Sequence, residues 1–547
     1  MPRLLDLPPD ITTQIFGYFA RGVDIQNLPS MLPHWDGLAT LQACRLTCRG
    51  LNELVGGTLC PVFRGSLDKV SMERIEHLSR NPLIAEGMRA VEINLAFRPK
   101  AIASDLALYC KHVTEKVDSF QGSCYYWTEF QHYEDEDQSD DAVKHRGLLA
   151  AQERLYLVRE SWRQCVESGV HRTADVSAQQ LLRDCFAKYA RLQLDEEEIV
   201  SDGSLVKTFA AAMARFKHAA YLSFVDEADV HPISDGVAVA NDNDLLAKEM
   251  LKPHNWLSIE TQTEETTLVS ARLLVELPMA CARLGAPLQG LDIGCFPLTR
   301  LFTSVIPPDS TKDRATIWSE LSDACRELTT LQMGRRGMHS TPSRQQRIFT
   351  EDRDIVDGYL GAVCSSPKLE SVYISMTPFR KCGGHKTRGG ISPDLYYPAG
   401  KFLRRLDSPS LNRLEISNVE MSGSDLESIV ETLPRYSTKS IRLRSITITE
   451  GGFASTVEIL RTIKTDSTDC DVDLSSLSGG EFGPAQGFDQ GGFFFGLDDG
   501  ELEDLFGRLE EHTNPPLLRA VSAYVGGDGE VNPLFISTNA GRGHQAR

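Results

Sequence analysis

The sequence predicts an α/β fold, an irregular βα solenoid in which short strands alternate with helices. Four segments share the pattern Leu-x-x-apolar-x-apolar, at 288–293, 328–333, 369–374 and 411–416. Their fourth positions lie 40, 41 and 42 residues apart, and apolar residues at helical spacing lie between them. A short strand with one apolar face buries it by stacking on similar units, so the pattern favours a parallel sheet that grows one repeat at a time.

Weaker copies extend the array in both directions. Residues 438–443 and 472–474 are expected to form strands after the four clear copies, and Val91–Leu95 and Leu222–Phe224 two outlying strands before them. The intervals exceed the roughly 20 to 29 residues usual for leucine-rich repeats, so we expect leucine-rich-repeat-like units with helical insertions. An ordinary α/β domain is the alternative.

The pattern divides the chain into five parts. Strong helical periodicity begins near residue 143, and the acidic residues at 134–137, 140 and 141 before it are expected to form a solvated loop. The expected parts are a helical domain (1–65), a connecting segment with a first strand and the acidic loop (66–142), a helical segment with early repeats (143–285), the solenoid (286–525) and a flexible tail (526–547).

Composition narrows the class of protein. The chain has 547 residues, of which 41% are hydrophobic and 24% charged, as expected for a folded globular protein. Lys plus Arg number 57 and Asp plus Glu 76, and the resulting charge of −19 argues against binding nucleic acid or an anionic membrane through bulk charge. The 13 cysteines form no disulfide framework, and no apolar run of about 18 residues occurs. We therefore expect a cytoplasmic or nuclear protein without a membrane span.

Catalytic signatures are missing from the sequence. It contains no phosphate-binding loop, no zinc-protease helix, no nucleophile elbow and no dinucleotide-binding glycine motif. Cys382 and His385 form a lone pair of metal-ligand type, and a closed zinc site needs about four ligands. We expect a non-enzymatic protein without metal or cofactor. The alternative is a hydrolase or transferase that uses scattered residues such as His339, Asp352 and Cys364.

The N-terminal residues carry the most informative motif. Apolar residues at helical spacing follow a Leu-Pro-Pro-Asp-Ile opening at 7–11, and a second helical segment at 41–54 contains Leu-x-x-Cys-Arg. Together these segments resemble an F-box, the adaptor-binding module of substrate receptors in SCF ubiquitin ligases. The stretch between Phe19 and Leu41 is longer than is usual in that family, and Leu51 replaces a common aromatic residue. A helical cap on the solenoid is the alternative interpretation.

The resemblance implies a function and a set of contacts. An F-box followed by degenerate leucine-rich-like repeats is similar to a group of fungal F-box proteins, which implies a non-catalytic receptor that binds the SCF adaptor, with its cullin scaffold, and a target protein. A repeat-based interaction scaffold unrelated to ubiquitin transfer is the alternative. Carried over to this sequence, the adaptor contacts are Leu7, Pro8, Ile11, Ile15, Phe16, Leu41, Cys44 and Leu46.

A local excess of basic residues suggests where a target could bind. Two segments that follow predicted strands are rich in Arg and Lys although the chain is acidic overall. If both leave equivalent strand ends, they form one patch for an acidic or phosphorylated target. The alternative is that they are solvated loops. The candidate target-binding residues are Arg335, Arg336, Arg380, Lys381, Lys386 and Arg388.

Overall fold

The structure is a computed structural model. It describes residues 11, 35–55, 60–130, 138–167, 176–226, 235–256, 258–259, 267–297, 299–308, 313–334, 350–376, 396–483 and 515–535.

Within the described residues, the fold is α/β and is organised around one parallel sheet of eleven strands. Nine of the strands lie side by side in chain order, and the two short strands β7 and β11 pair with β8 and β9. This order is compatible with an open, solenoid-like arrangement. The strands are β1 (Val62–Ser66), β2 (Ala90–Asn94), β3 (Tyr221–Val225), β4 (Gly290–Ile293), β5 (Thr330–Met333), β6 (Ser371–Ser375), β7 (Tyr397–Pro398), β8 (Arg413–Met421), β9 (Ser440–Ile448), β10 (Asp471–Ser475) and β11 (Ser478–Gly479).

The register of the sheet confirms the predicted equivalence of the four clear copies. Leu291 pairs with Leu331, Leu331 with Val372, and Val372 with Leu414. Each of these four side chains is 1% exposed. The outlying strands and the weaker copies continue the same column, which contains Phe63, Val91, Leu222, Leu291, Leu331, Val372, Leu414, Ile441 and Val472.

Helices fill the connections between the strands. They are α1 (Trp35–Thr47), α2 (Arg49–Val55), α3 (Lys69–Arg80), α4 (Pro82–Gly87), α5 (Lys100–Ser104), α6 (Leu106–Phe130), α7 (Gln138–Glu167), α8 (Val176–Ser201), α9 (Ser204–Arg215), α10 (Asp235–Asn241), α11 (Asn243–Met250), α12 (Leu273–Arg283), α13 (Arg314–Ala324), α14 (Thr350–Val363), α15 (Gly400–Leu403), α16 (Gly423–Glu431), α17 (Ala454–Asp466) and α18 (Pro515–Val525). Short 3-10 helices lie at Val269–Arg272, Thr299–Val305 and Gly480–Phe482.

A row of helices forms a second layer against the sheet. Helices α3, α9 and α12 to α18 contact one another as successive neighbours in that sequence. The main hydrophobic core contains the apolar columns of the sheet and the apolar residues of these helices. Polar caps fix several helix starts: Asp68 accepts a hydrogen bond from the Ser71 amide at α3, and Ser422 and Asp425 form a capping box at α16.

A serine hydrogen bond recurs between neighbouring repeats. The buried Ser366 hydroxyl donates to the Leu328 carbonyl, and the buried Ser408 hydroxyl donates to the Leu369 carbonyl, both at 2.8 Å. Ser467 makes the corresponding bond two repeats further, to the Thr438 carbonyl at 3.0 Å. Each acceptor is the first residue of a repeat copy, so each of these three bonds ties the start of one repeat to the repeat before it.

The last repeats contain an aligned bend. Asn418, Ser445 and Ser476 have positive φ angles of 59°, 52° and 52°, a conformation that non-glycine residues rarely adopt. Pairing of β8 with β9 stops at Ser417–Arg444 and resumes at Val419–Ile446, so the bends in these two strands lie side by side. Beyond the bend, β7 and β11 extend the sheet.

Two insertions build a separate helical arm. The first lies between β2 and β3 and contributes α5, α6, α7 and most of α8, and the second lies between β3 and β4 and contributes α10 and α11. Apolar residues of all six helices form a second core, with Tyr109, Trp162 and Tyr189 fully buried in it. We call these elements the helical arm.

Three sequence expectations differ from the structure. Strand β1 was not predicted, and it spans the expected boundary at residue 65. Asp140 and Asp141 belong to α7 and not to the expected acidic loop, whose residues 134–137 lie outside the described residues. At the C-terminus, Leu534 is buried and Asn532 donates to the Ala454 carbonyl at 3.0 Å, so part of the expected flexible tail packs on α17.

The sheet register predicts the cost of a cavity in the core. Leu414→Ala removes a side chain enclosed by neighbours on both sides, and we expect it to lower the free energy of unfolding by about 2 to 5 kcal/mol. Lys439→Ala, at an exposed position just before β9, is the control and should change it by less than about 0.5 kcal/mol. Urea unfolding measures both, and equal effects would contradict the assignment.

The recurrent serine bond gives a second prediction. Ser408→Ala removes a donor to the carbonyls of Pro367 and Leu369, and we expect a loss of about 1 to 3 kcal/mol because a buried acceptor loses its partner. Ser410→Ala is the control, since Ser410 lies two residues away at an exposed position. Chemical denaturation of both variants checks this, and an Ser408→Ala variant as stable as the control would show that the bond contributes nothing.

Candidate protein-interaction surface

The candidate interaction surface is the face of the sheet that points away from the helix layer. Successive side chains of a strand point to opposite faces, so the residue between two apolar positions of each repeat faces outward. This column contains Arg64, Glu92, Ser223, Asp292, Gln332, Tyr373, Glu415, Arg442 and Asp473.

After the exposed Arg64, burial distinguishes a covered stretch of the outward column from an open one. Glu92, Ser223, Asp292 and Gln332 are at most 7% exposed, and the Ser223 hydroxyl lies 3.0 Å from Asp292 Oδ2. From Glu415 onward the side chains are at least partly accessible to solvent. The section on β8, β9 and β10 is therefore open to a partner.

The open section is a charge ladder across three strands. We define it as Arg413, Glu415, Arg442, Arg444, Asp471 and Asp473. The guanidinium of Arg442 lies 3.7 Å from Glu415 and 3.5 Å from Asp471, and Arg444 Nε lies 3.0 Å from Asp473. The hydrogen bond to Asp473 raises the pKa of Arg444. Three cations and three anions balance, so the ladder offers directional polar contacts and no net charge.

The N-terminal helix pair forms a separate small cluster. Leu41 on α1 and Val55 on α2 are fully buried, and Cys44 and Leu51 pack against them. Leu46 lies on α1 and is 79% exposed. This apolar side chain is one of those that the F-box resemblance assigns to the adaptor contact.

The structure places only part of the residues expected to bind the adaptor. Ile11 is helical and 42% exposed, Leu46 is exposed, Leu41 is buried and Cys44 is half-buried. Leu7, Pro8, Ile15 and Phe16 lie outside the described residues. All six basic residues expected to bind the target also lie outside them, namely Arg335, Arg336, Arg380, Lys381, Lys386 and Arg388.

The scattered residues of the enzyme alternative are not brought together by the described part of the chain. Cys364 is fully buried at the end of α14, and burial strongly raises the pKa of its thiol, which disfavours the nucleophilic thiolate. Asp352 lies in α14, whereas His339, Cys382 and His385 lie outside the described residues. Within those residues, no three His, Cys, Asp or Glu side chains are placed to hold a metal ion.

The charge ladder was not predicted, although the sequence contains a signal for it. The fifth position of each repeat copy is polar or aromatic, as with Gln332, Tyr373, Glu415 and Arg442. That position faces outward whenever the fourth and sixth face the core. The opposite charges form a ladder because the register of the strands places these positions side by side, and the register does not follow from the fifth position alone.

Comparison with known proteins adds no relative. No protein-family model, curated protein or solved structure matches the chain. In the part of the chain that the structure describes, no helix has both the length and the apolar character needed to cross a membrane.

The ladder predicts a substitution that leaves the fold intact. Arg444→Met should lower the free energy of unfolding by less than about 1 kcal/mol, because both Arg444 and Asp473 are partly solvated and such ion pairs contribute little. A double-mutant cycle with Asp473→Asn in urea measures the pair directly. A coupling above about 2 kcal/mol would mean that the ladder is a structural element and not an accessible surface.

Proposed function

We propose that the chain is the non-catalytic substrate-recognition subunit of an SCF-type cullin–RING ubiquitin ligase. The N-terminal helices act as an F-box that docks on the adaptor, and the leucine-rich-repeat-like sheet unit holds a target protein. The observation that carries the proposal is Leu46, an apolar side chain 79% exposed on a helix of the motif segment. A large exposed apolar residue at a position that the motif assigns to binding is a candidate contact with a partner.

The order of the parts along the chain supports separate roles for the N-terminal helices and the sheet. The helix pair at 35–55 has its own apolar cluster, distinct from the core of the sheet. The sheet then begins at β1 and adds each main strand beside the previous one. A module for attachment is thus followed by an array whose outward face presents side chains from many repeats, as a target-binding surface requires.

The proposed mechanism is catalysis by proximity. The chain supplies no reacting group, and ubiquitin transfer occurs on the partners assembled around the cullin scaffold. Holding a target near the charged ubiquitin-conjugating enzyme turns an encounter between two proteins into a reaction within one assembly. The packed sheet and helix layers suit this task because they hold the strands that present the target surface in fixed positions relative to one another.

The target surface is proposed to combine two regions. The charge ladder on β8, β9 and β10 supplies open, balanced polar groups. The basic residues of the segments after β5 and β6 would add positive charge and favour an acidic or phosphorylated target. We propose that the protein acts in the cytoplasm, the nucleus or both, where the SCF partners operate.

Substitution of Leu46 tests the adaptor contact. Leu46→Asp places an uncompensated charge in the proposed apolar interface, and we expect adaptor recovery in co-precipitation to fall at least about tenfold. Tyr436→Asp is the matched control, because Tyr436 is 81% exposed on the sheet unit and should leave recovery unchanged. Affinity purification with the proteasome inhibited reports adaptor and target together.

Three outcomes of this experiment have distinct meanings. Loss of adaptor with retention of a target in Leu46→Asp supports the receptor proposal. Equal adaptor recovery by both variants contradicts the assignment of Leu46. A wild-type chain that captures a partner protein but no adaptor would instead support a repeat-based interaction scaffold, with the helix pair as a cap.

A further inference from the structure

The helical arm and the sheet have separate hydrophobic cores joined by a continuous helix. The arm core includes Ala178, Leu182 and Tyr189 of α8, whereas Ile199 and Val200 in the last turn of the same helix belong to the sheet core. The two cores share no residue among those described. Helix α8 therefore passes from one core to the other between residues 189 and 199.

A buried polar joint lies at this crossing. Arg98, in the loop after β2, pairs with Glu196 of α8 through its guanidinium and donates its amide to the same carboxylate at 3.0 Å. Its Nε also donates to the Leu251 carbonyl, just past the end of α11, at 3.0 Å. The side chains of Arg98 and Glu196 are only 13% and 5% exposed. One guanidinium thus connects the sheet, α8 and the end of α11.

Further polar groups surround this contact. Lys116 of α6 donates to the Glu249 carbonyl at 3.3 Å, and Tyr109 donates to the Met250 carbonyl at 3.1 Å. The rings of His112 and His254 stack with centroids 3.8 Å apart, and Lys252 pairs with Glu249 at 2.8 Å. Cations near the last carbonyls of α11 favour its dipole. The arm is therefore held at this point by hydrogen bonds and charges.

Such a joint opens more easily than apolar packing of the same extent. The free-energy cost of burying polar groups in this joint is only partly offset by hydrogen bonds, because Tyr189 Oη and His254 Nε2 are buried without a hydrogen-bond partner among the described residues. Burial also raises the pKa of Glu196 to about 7 against the opposing effect of Arg98, and lowers the pKa of Lys116 to about 8. Both shifts mean that the charged forms are poorly solvated in the closed joint.

We propose that the helical arm opens from the sheet as one unit when the Arg98–Glu196 joint breaks. Helix α8 bends or frays between its two cores, the end of α11 is released, and the sheet with its own helix layer stays folded. Proteins open sub-globally in cooperative units whose boundaries follow supersecondary structure, and separate cores define such boundaries here.

Removal of the guanidinium tests the proposal in the full chain. In Arg98→Met, hydrogen exchange of α6 and α11 should rise about a hundredfold or more, because the buried Glu196 carboxylate loses its cation, while β8 should exchange as in the wild type. Lys100→Met is the matched control. It removes a cation two residues away that pairs with Glu197 at 3.8 Å but is 68% exposed, and it should change neither region.

Acidification provides a readout specific to the carboxylate. Three groups face the Glu196 carboxyl. They are Arg98 in the loop after β2, Tyr189 on the same helix as Glu196, and Asp68 at the start of α3. The other titratable groups of the joint are Lys116, Glu249, Lys252, His112 and His254, and burial lowers the pKa of His254 and so favours its neutral ring. Loss of Arg98 removes the cation that lowers the Glu196 pKa, so that pKa rises further. A carboxyl whose pKa is raised in the closed form stabilises that form at low pH, and this stabilisation is lost as the pH rises. Going from about pH 8 to about pH 6 should therefore partly restore protection in Arg98→Met.

Two results would overturn the proposal. One is that Arg98→Met raises hydrogen exchange in β8 and α11 equally, which would mean that the helical arm and the sheet open together. The other is that it leaves α11 as protected as Lys100→Met does. If Arg98→Met does not fold, wild-type exchange in increasing urea decides, because α6 and α11 should share one opening with a smaller denaturant dependence than that of β8. A single denaturant dependence shared by α6, α11 and β8 would contradict the opening of the helical arm as a separate unit.

Discussion

The register of the parallel strands is the constraint on which the rest of the structure depends. It aligns the apolar positions of successive repeats into columns, of which Leu291, Leu331, Val372 and Leu414 form one part. A shift of one residue would turn every core side chain of a strand to the outward face. Serine bonds such as Ser408 to Leu369 connect three of the repeats to the one before and oppose such a shift. The same register creates the charge ladder on the opposite face.

Local patterns predicted the α/β class, the strand copies and the helices between them, because each depends on periodicity within one short segment. Strand β1 escaped prediction because Val62–Ser66 contains Arg64 and Gly65 and lacks the repeat pattern. Gly65 is required there, since a Cβ would lie 2.7 Å from the Phe63 ring. The serine bonds escaped as well, although Ser366-Pro367 and Ser408-Pro409 recur 42 residues apart. A recurring polar residue gains meaning only when its acceptor is known.

The sites depend on contacts between distant segments, which a single sequence does not reveal. Glu196 resembles other acidic residues of α8 in sequence, yet Glu198 pairs with Lys69 at the surface while Glu196 meets Arg98 in the interior, 98 residues away. The charge ladder likewise joins Glu415, Arg442 and Asp471 from three repeats. The adaptor assignment came instead from a motif resemblance, and of its described residues Ile11 and Leu46 are exposed, whereas Leu41 is buried and Cys44 is half-buried.

We propose that the chain brings a target to a ubiquitin-transfer assembly without performing chemistry. Reconstituted transfer tests it most directly, with purified full-length chain, a partner that it captures, the adaptor–cullin–RING assembly and the activating and conjugating enzymes. We expect ubiquitin to be attached to the captured partner only when the chain is present, and the rate of transfer to reach a plateau once the partner is fully bound by the chain. Unchanged modification of the partner when the chain is omitted, or no stable complex between the chain and the adaptor, would contradict it.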